Sequence, residues 1–158
     1  MLVSTKGRYA LRFLVDLAEH SAGGPQDKLI PLKDISDRQE VSLKYAERLM
    51  TVLAKNHLVE SQHGKGGGYR LSRAPSEYRV SEVLRLMDEE LAPVACLACS
   101  PNQCHRAPEC RTLPMWQKLN HVITDFFDGI TVADLMKGKG SEAGQADGFE
   151  SLTTSTCT

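Results

Sequence analysis

Nowhere in its 158 residues does this chain carry an apolar run of the length a bilayer demands, roughly 20 residues. Residues 1–22 are charged and amphipathic, without the short apolar core and small-residue cleavage site of an export signal. These absences predict a cytoplasmic protein with no membrane partner, in a reducing compartment where structural disulfides rarely persist. The marks of catalysis are missing too. No paired carboxylates fall in a pocket-forming context, and the Cys96-x-x-Cys99 pair lacks the strand-helix setting of a thioredoxin-like thiol. The run Gly66-Gly67-Gly68 is followed neither by Lys-Ser or Lys-Thr nor by a helix start, so it does not read as a nucleotide phosphate loop. The expectation is a protein that is not an enzyme.

Cysteine is scarce and unevenly placed. Four of the five lie between Cys96 and Cys110, in CLACSPNQCHRAPEC, and the fifth is Cys157. Clustered thiolates are soft donors that select zinc, copper(I) or iron-sulfur clusters over hard cations. A structural zinc site usually presents two tight cysteine pairs, whereas only Cys96 and Cys99 form one here. The spacing makes Cys96, Cys99, Cys104 and Cys110 candidate metal ligands and leaves the metal open.

The net charge of −1 hides an asymmetry. Residues 1–80 carry 13 Lys and Arg against 9 Asp and Glu, a net of +4, and residues 81–158 carry 6 against 11, a net of −5. A basic half joined to an acidic half permits a nucleic-acid-binding module with a sensing or assembly module attached.

Periodicity supplies the elements. Tyr9, Ala10, Phe13, Leu14, Leu17 and Ala18 predict a helix from residue 5 to about 20, ended by Gly23-Gly24-Pro25. Pro31 opens a short second helix that buries Leu32 and Ile35 and runs to Gln39. After a turn at Glu40-Val41, Ser42 caps a third helix. Leu43, Ala46, Leu49, Met50 and Leu53 face its core, while Lys44, Glu47, Arg48 and Thr51 face outward. Two short strands, Leu58 to Gln62 and Tyr69 to Leu71, flank a glycine-rich wing in which His63, Lys65 and Arg70 offer donors and charge to phosphate. Ser81 caps a further helix to about Glu90, with Val83, Leu84, Leu86 and Met87 inward. Beyond the cysteine loop, Trp116, Leu119, Ile123, Phe126 and Phe127 stripe a long helix from Thr112 to Asp128, wide enough to pair with a second chain. The fold class expected is mainly α with a small β-wing. Residues 1–80 form a winged helix-turn-helix domain, 81–137 the cysteine loop and dimerisation helices, and 138–158 a disordered tail.

STKGRYAL, PLKDISDRQEVSLKYAERLM, GKGGGYRLS and CRTLPMW together resemble the IscR/NsrR/CymR superfamily of bacterial winged-helix transcription regulators, over about residues 1–137, and its IscR-like branch in particular. The resemblance implies a homodimer on a double-stranded DNA operator, with an iron-sulfur cluster on the cysteine loop. It implies a repressor controlling iron-sulfur assembly or sulfur-supply genes. The alternative is the same DNA-binding fold with structural zinc, or with a protein partner that senses cysteine metabolism.

Carried over by position, Lys44 and Glu47 fall where the family meets base edges, and His63 where an arginine usually enters the minor groove. The DNA face expected is Lys6, Arg8, Ser42, Lys44, Tyr45, Glu47, Arg48, His63, Lys65, Gly66, Gly67 and Arg70. His57 stands where a glycine is usual. Cys96, Cys104 and Cys110 match the cluster ligands and Cys99 is extra. The family's fourth ligands, a histidine or a partner's acid, fall at Leu113 and Arg8, which leaves Cys99 ahead of His105 and His121 as the fourth donor. A 2Fe-2S cluster is expected over a 4Fe-4S one.

Overall fold

The computed structural model describes residues 3–21, 28–88 and 91–138. Helix α1 spans Thr5–Ser21, α2 Leu32–Arg38 and α3 Leu43–Lys55. Strands β1 (Val59–Gln62) and β2 (Gly68–Leu71) pair antiparallel, with Val59 opposite Leu71 and Gln62 opposite Gly68. A single turn at Pro75–Glu77 leads into α4 (Val80–Asp88). Short turns at Ala95–Leu97 and Ala107–Glu109 shape the cysteine loop, and α5 (Leu113–Asp128) and α6 (Val132–Met136) follow. The molecule is mostly helical with one two-stranded wing, the class expected from periodicity.

Phe13, Leu14 and Leu17 of α1, Ile35 of α2, Met50 and Leu53 of α3 and the ring of Tyr78 fill the main core, and all are completely buried. Val83 and Met87 of α4 and Val132 of α6 belong to the same core, so both helices pack with the helix-turn-helix. A second cluster, Val80, Leu84, Leu91 and Ile130, lies at the root of α5, where Phe127 packs on it.

The local chemistry differs from the sequence reading at several places. Pro31 sits one residue outside α2, as its N-cap with φ −59° and ψ 139°, so its missing N–H falls just before the helix. Helix α4 starts at Val80, which puts Ser81 inside it. There the buried Ser81 hydroxyl donates to Asp128 Oδ1 and ties α4 to the end of α5 instead of capping. Leu43 is 51% exposed and lies outside the core assigned to it. Helix α6 is too short for a periodic signal. It is fixed by the reciprocal Thr131–Asp134 capping box and by the burial of Val132. The stop at Gly23-Gly24-Pro25, the end of α4 near Glu90 and, past Gly138, the tail expected over 138–158 lie outside the described residues.

Two backbone approaches explain the wing glycines. Gly64 and Gly66 have φ of 100° and 81°. A Cβ on Gly67 would meet the Gln62 carbonyl, and one on Gly68 the Ile30 carbonyl, because Ile30 and Tyr69 exchange backbone hydrogen bonds of 2.8 Å and lash the segment preceding α2 to the wing.

Candidate nucleic-acid interface and cysteine loop

Helix α3 is launched by Ser42, whose Oγ accepts from the Tyr45 amide at 3.2 Å. Lys44, Glu47, Arg48 and Thr51 are exposed along its outer face, and the Thr51 hydroxyl folds back to donate to the Glu47 carbonyl at 2.7 Å. Tyr45 plays a different part. Its ring meets Tyr9 edge-on at 5.7 Å, and its buried hydroxyl has no hydrogen-bond partner among the described residues, so it joins α3 to α1. Burial, then Tyr9, pushes its pKa up.

Helix α3 ends at Lys55 with Asn56 as its C-cap, and His57 just beyond takes φ 58°, the left-handed conformation in which glycine is unstrained. The wing rises directly from there. His63, Lys65 and Gly66 are exposed at its tip, and the α3 carboxylate of Glu47 adds to burial in raising the pKa of Tyr69 on β2. Lys6 and Arg8 are exposed on the first turns of α1, where Arg8 donates to the Thr5 hydroxyl at 3.3 Å. Arg70, expected as a phosphate anchor, is paired across the strands with Glu60, through Nε at 2.8 Å and a second nitrogen at 2.7 Å.

One network that the sequence reading missed sets the angle between α1 and α2. Asp16 is buried and receives Arg38 through two nitrogens, at 2.6 and 2.9 Å, and the Gln39 side-chain amide at 2.9 Å. Arg12 in turn donates to Gln39 Oε1 at 2.8 Å and lies over the Tyr9 ring. The available signal was an acid embedded in the apolar run Leu14-Val15-Asp16-Leu17, where a carboxylate must find a cation.

Cys96, Cys104 and Cys110 are half-buried, Cys99 is exposed, and all four are free thiols. Cys110 has its Sγ 3.4 Å from the Thr112 hydroxyl. That contact, with the Thr112 and Leu113 amides and the charge of Arg106, lowers its pKa and favours the thiolate. The Cys104 amide donates to Asn102 Oδ1 at 2.8 Å. The donor chemistry fits a soft metal or an iron-sulfur cluster, but among the described residues no three His, Cys, Asp or Glu side chains converge on one point. His121 is turned to Asp125, 3.2 Å away along α5, and His105 is exposed on the loop.

The model of the Rrf2 family, described as iron-dependent transcriptional regulators, matches residues 3–138. The chain belongs to the Rrf2 family. It is 40% identical over 139 residues to the HTH-type transcriptional regulator IscR of Pectobacterium carotovorum, covering 88% of this chain and 81% of that protein. Among solved structures it is similar to CymR of B. subtilis, titled the global cysteine regulator, with a TM-score of 0.69 at 27% identity over 87% of this chain and 98% of the other. It is also similar to the T. potens IscR, with a TM-score of 0.66 at 34% identity over 94% of each chain. This Rrf2 protein is a DNA-binding transcriptional regulator of winged-helix fold. No helix among its described residues is long and apolar enough to cross a membrane.

Proposed function

We propose that this Rrf2 protein is an IscR-like homodimeric repressor of the cytoplasm. Its operator affinity is set by an iron-sulfur cluster, 2Fe-2S in type, held by Cys96, Cys104 and Cys110 with Cys99 as fourth donor. The carrying observation is the confinement of four free thiols to the one loop that joins the winged core to α5. When bound, the cluster supplies redox and iron sensitivity. The chain supplies soft donors, a Cys110 sulfur already biased toward thiolate, and a position next to α5. On the DNA side, Lys44 and Glu47 meet base edges. Lys6, Arg8, Ser42, Arg48 and Lys65 hold phosphate with the Gly66-Gly67 backbone, Arg70 joins them on leaving Glu60, and His63 faces the minor groove. A neutral, short histidine there reads minor-groove width less strongly than an arginine does. The dimer is supported by α5, which buries none of its residues and leaves Met115, Leu119, Val122 and Phe126 bare. The targets that follow are genes of iron-sulfur assembly or sulfur supply.

Purification without oxygen tests the reading. The expected product is brown, with iron and acid-labile sulfide in equal amounts, and loses that iron when Cys96, Cys104 or Cys110 is replaced by alanine. Its operator affinity shifts when the cluster is removed, because a ligand moves a conformational balance only through differential affinity for the two states. A colourless protein containing zinc or no metal would overturn the cluster. It would favour the second reading, a CymR-like regulator of cysteine metabolism that senses through a protein partner, which the likeness to CymR supports.

A further inference from the structure

Outside α5, the described residues leave two large apolar side chains exposed, Val52 at 37% and Leu43 at 51%, both on α3. Leu43 is the barer, and its periodicity marks it for the core. The core beside the start of α3 is met by Val41 and Ala46 instead. Val41, just before the Ser42 cap, lies against the core, where an apolar residue staples a helix start by contact with the fourth helical position. That position is Ala46, which is completely buried. Leu43 is therefore the first residue of α3 with its side chain left over, beside Lys44 and one turn ahead of Glu47 on the same face.

The first turn of a recognition helix is the part that meets base edges. A leucine can neither bond a phosphate nor read a donor or acceptor. The group in the major groove that matches it is the C5-methyl of thymine. We propose that Leu43 is a specificity-determining residue that reads a thymine in each half-site through that methyl. The inference rests on α3 being the helix that enters the major groove, with Lys44 and Glu47 supplying the polar part of the same readout.

The test uses the full-length protein and a DNA sequence that it selects from a random pool. Each thymine of that site is replaced in turn by deoxyuridine, which lacks only the methyl. At one symmetric pair of positions the protein is expected to lose about fourfold in affinity per half-site, the worth of one buried methyl. Leu43→Ala should bind the thymine site more weakly by a similar factor and no longer distinguish thymine from deoxyuridine. Because Leu43 is outside the core, the variant's thermal melt should match the parent's.

A parent protein indifferent to every deoxyuridine, or a Leu43→Ala protein as methyl-sensitive as the parent, overturns the proposal. Lys44→Ala and Glu47→Ala separate the two levels. If they too leave the selected sequence unchanged, α3 does not read bases and both readings fall. If they change it while Leu43→Ala keeps its methyl sensitivity, only the role of Leu43 falls.

Discussion

Among single side chains, Asp16 fastens α1 to α2, because it is 3% exposed and receives charged and neutral donors from α2 and its cap. Burial pushes its pKa up. The hydrogen bonds from Arg38 and Gln39 and the charge of Arg38 outweigh that and hold the carboxyl below the ordinary carboxylate value. A folded value below the unfolded one means that its stabilisation is complete above about pH 4–5 and is lost as the pH falls through the folded value. Asp16→Asn keeps the shape and removes the charge. Arg38 is one-third exposed and can rehydrate, so the loss expected near pH 7 is about 2 kcal/mol, less than for a fully buried pair. Urea melts should show the gap between parent and variant closing at acid pH, and an equal gap at pH 7 and pH 3 would refute the charge-based account. Cys99 carries the second prediction at this scale. With Leu113 and Arg8 in place of the usual fourth ligands, Cys99→Ser should yield a labile cluster with altered visible and electron-spin spectra and less iron per chain. Cys157→Ser should change nothing. Unaltered spectra in Cys99→Ser would remove it from the ligand set and point to His105.

The wing is the element whose chemistry is least visible in its own residues. Its charge reads as free for phosphate along the sequence, yet β1 places Glu60 directly opposite Arg70 and the two form an exposed pair. Such a cross-strand pair contributes about 0.2–1 kcal/mol to the hairpin, so its removal is tolerable. Glu60→Gln is then expected to release Arg70 toward DNA, tighten binding to all sequences alike and steepen the salt dependence by about one counterion. Titrations at several salt concentrations measure this, and an unchanged slope would show that Arg70 does not reach phosphate. The pairing was illegible because strand register depends on the turn, and a five-residue glycine-rich connection leaves several registers open. The helices were easier. In α1 and α3 a full apolar stripe meets a cap or stop signal, and the Ser42 cap bond is where the pattern puts it. What failed were assignments resting on one residue, such as Ser81 as a cap, Pro31 as the first helical residue and Leu43 as core, because tertiary packing decides a helix boundary within a residue or two. The candidate DNA residues were legible as exposed charge on known faces. The cysteines were legible as donors, while the arrangement of their sulfurs is a property of a loop with no period to read.

At the scale of the whole molecule, α5 is a helix without a buried residue in its own chain, and Met115, Leu119, Val122 and Phe126 follow one another at three- and four-residue steps. Val122, 57% exposed, is the barest of them. Val122→Glu should leave the far-ultraviolet spectrum of the fold intact, convert the protein to a monomer in sedimentation velocity and weaken operator binding by at least tenfold, since two half-sites are then no longer bound together. A dimeric Val122→Glu protein would show that α5 is not the interface. The connection below α5 has a further effect. The Val80 amide donates to the Ile130 carbonyl at 3.0 Å, Val132 to the Tyr78 carbonyl at 3.0 Å, Arg79 bridges Thr131, and Asp128 accepts from both Ser81 and Arg79. The segment carrying the cysteines and α5 thus leaves the core after α4 and is fastened back to it at residues 128–132. A covalent cut between Cys99 and Cys104 therefore divides the polypeptide without dividing the fold. A protein carrying an engineered protease site there should, once cleaved, give two fragments that migrate together on a native gel and part only in denaturant; separation in plain buffer would mean that the backbone bonds at Ile130 and Val132 cannot hold the halves together.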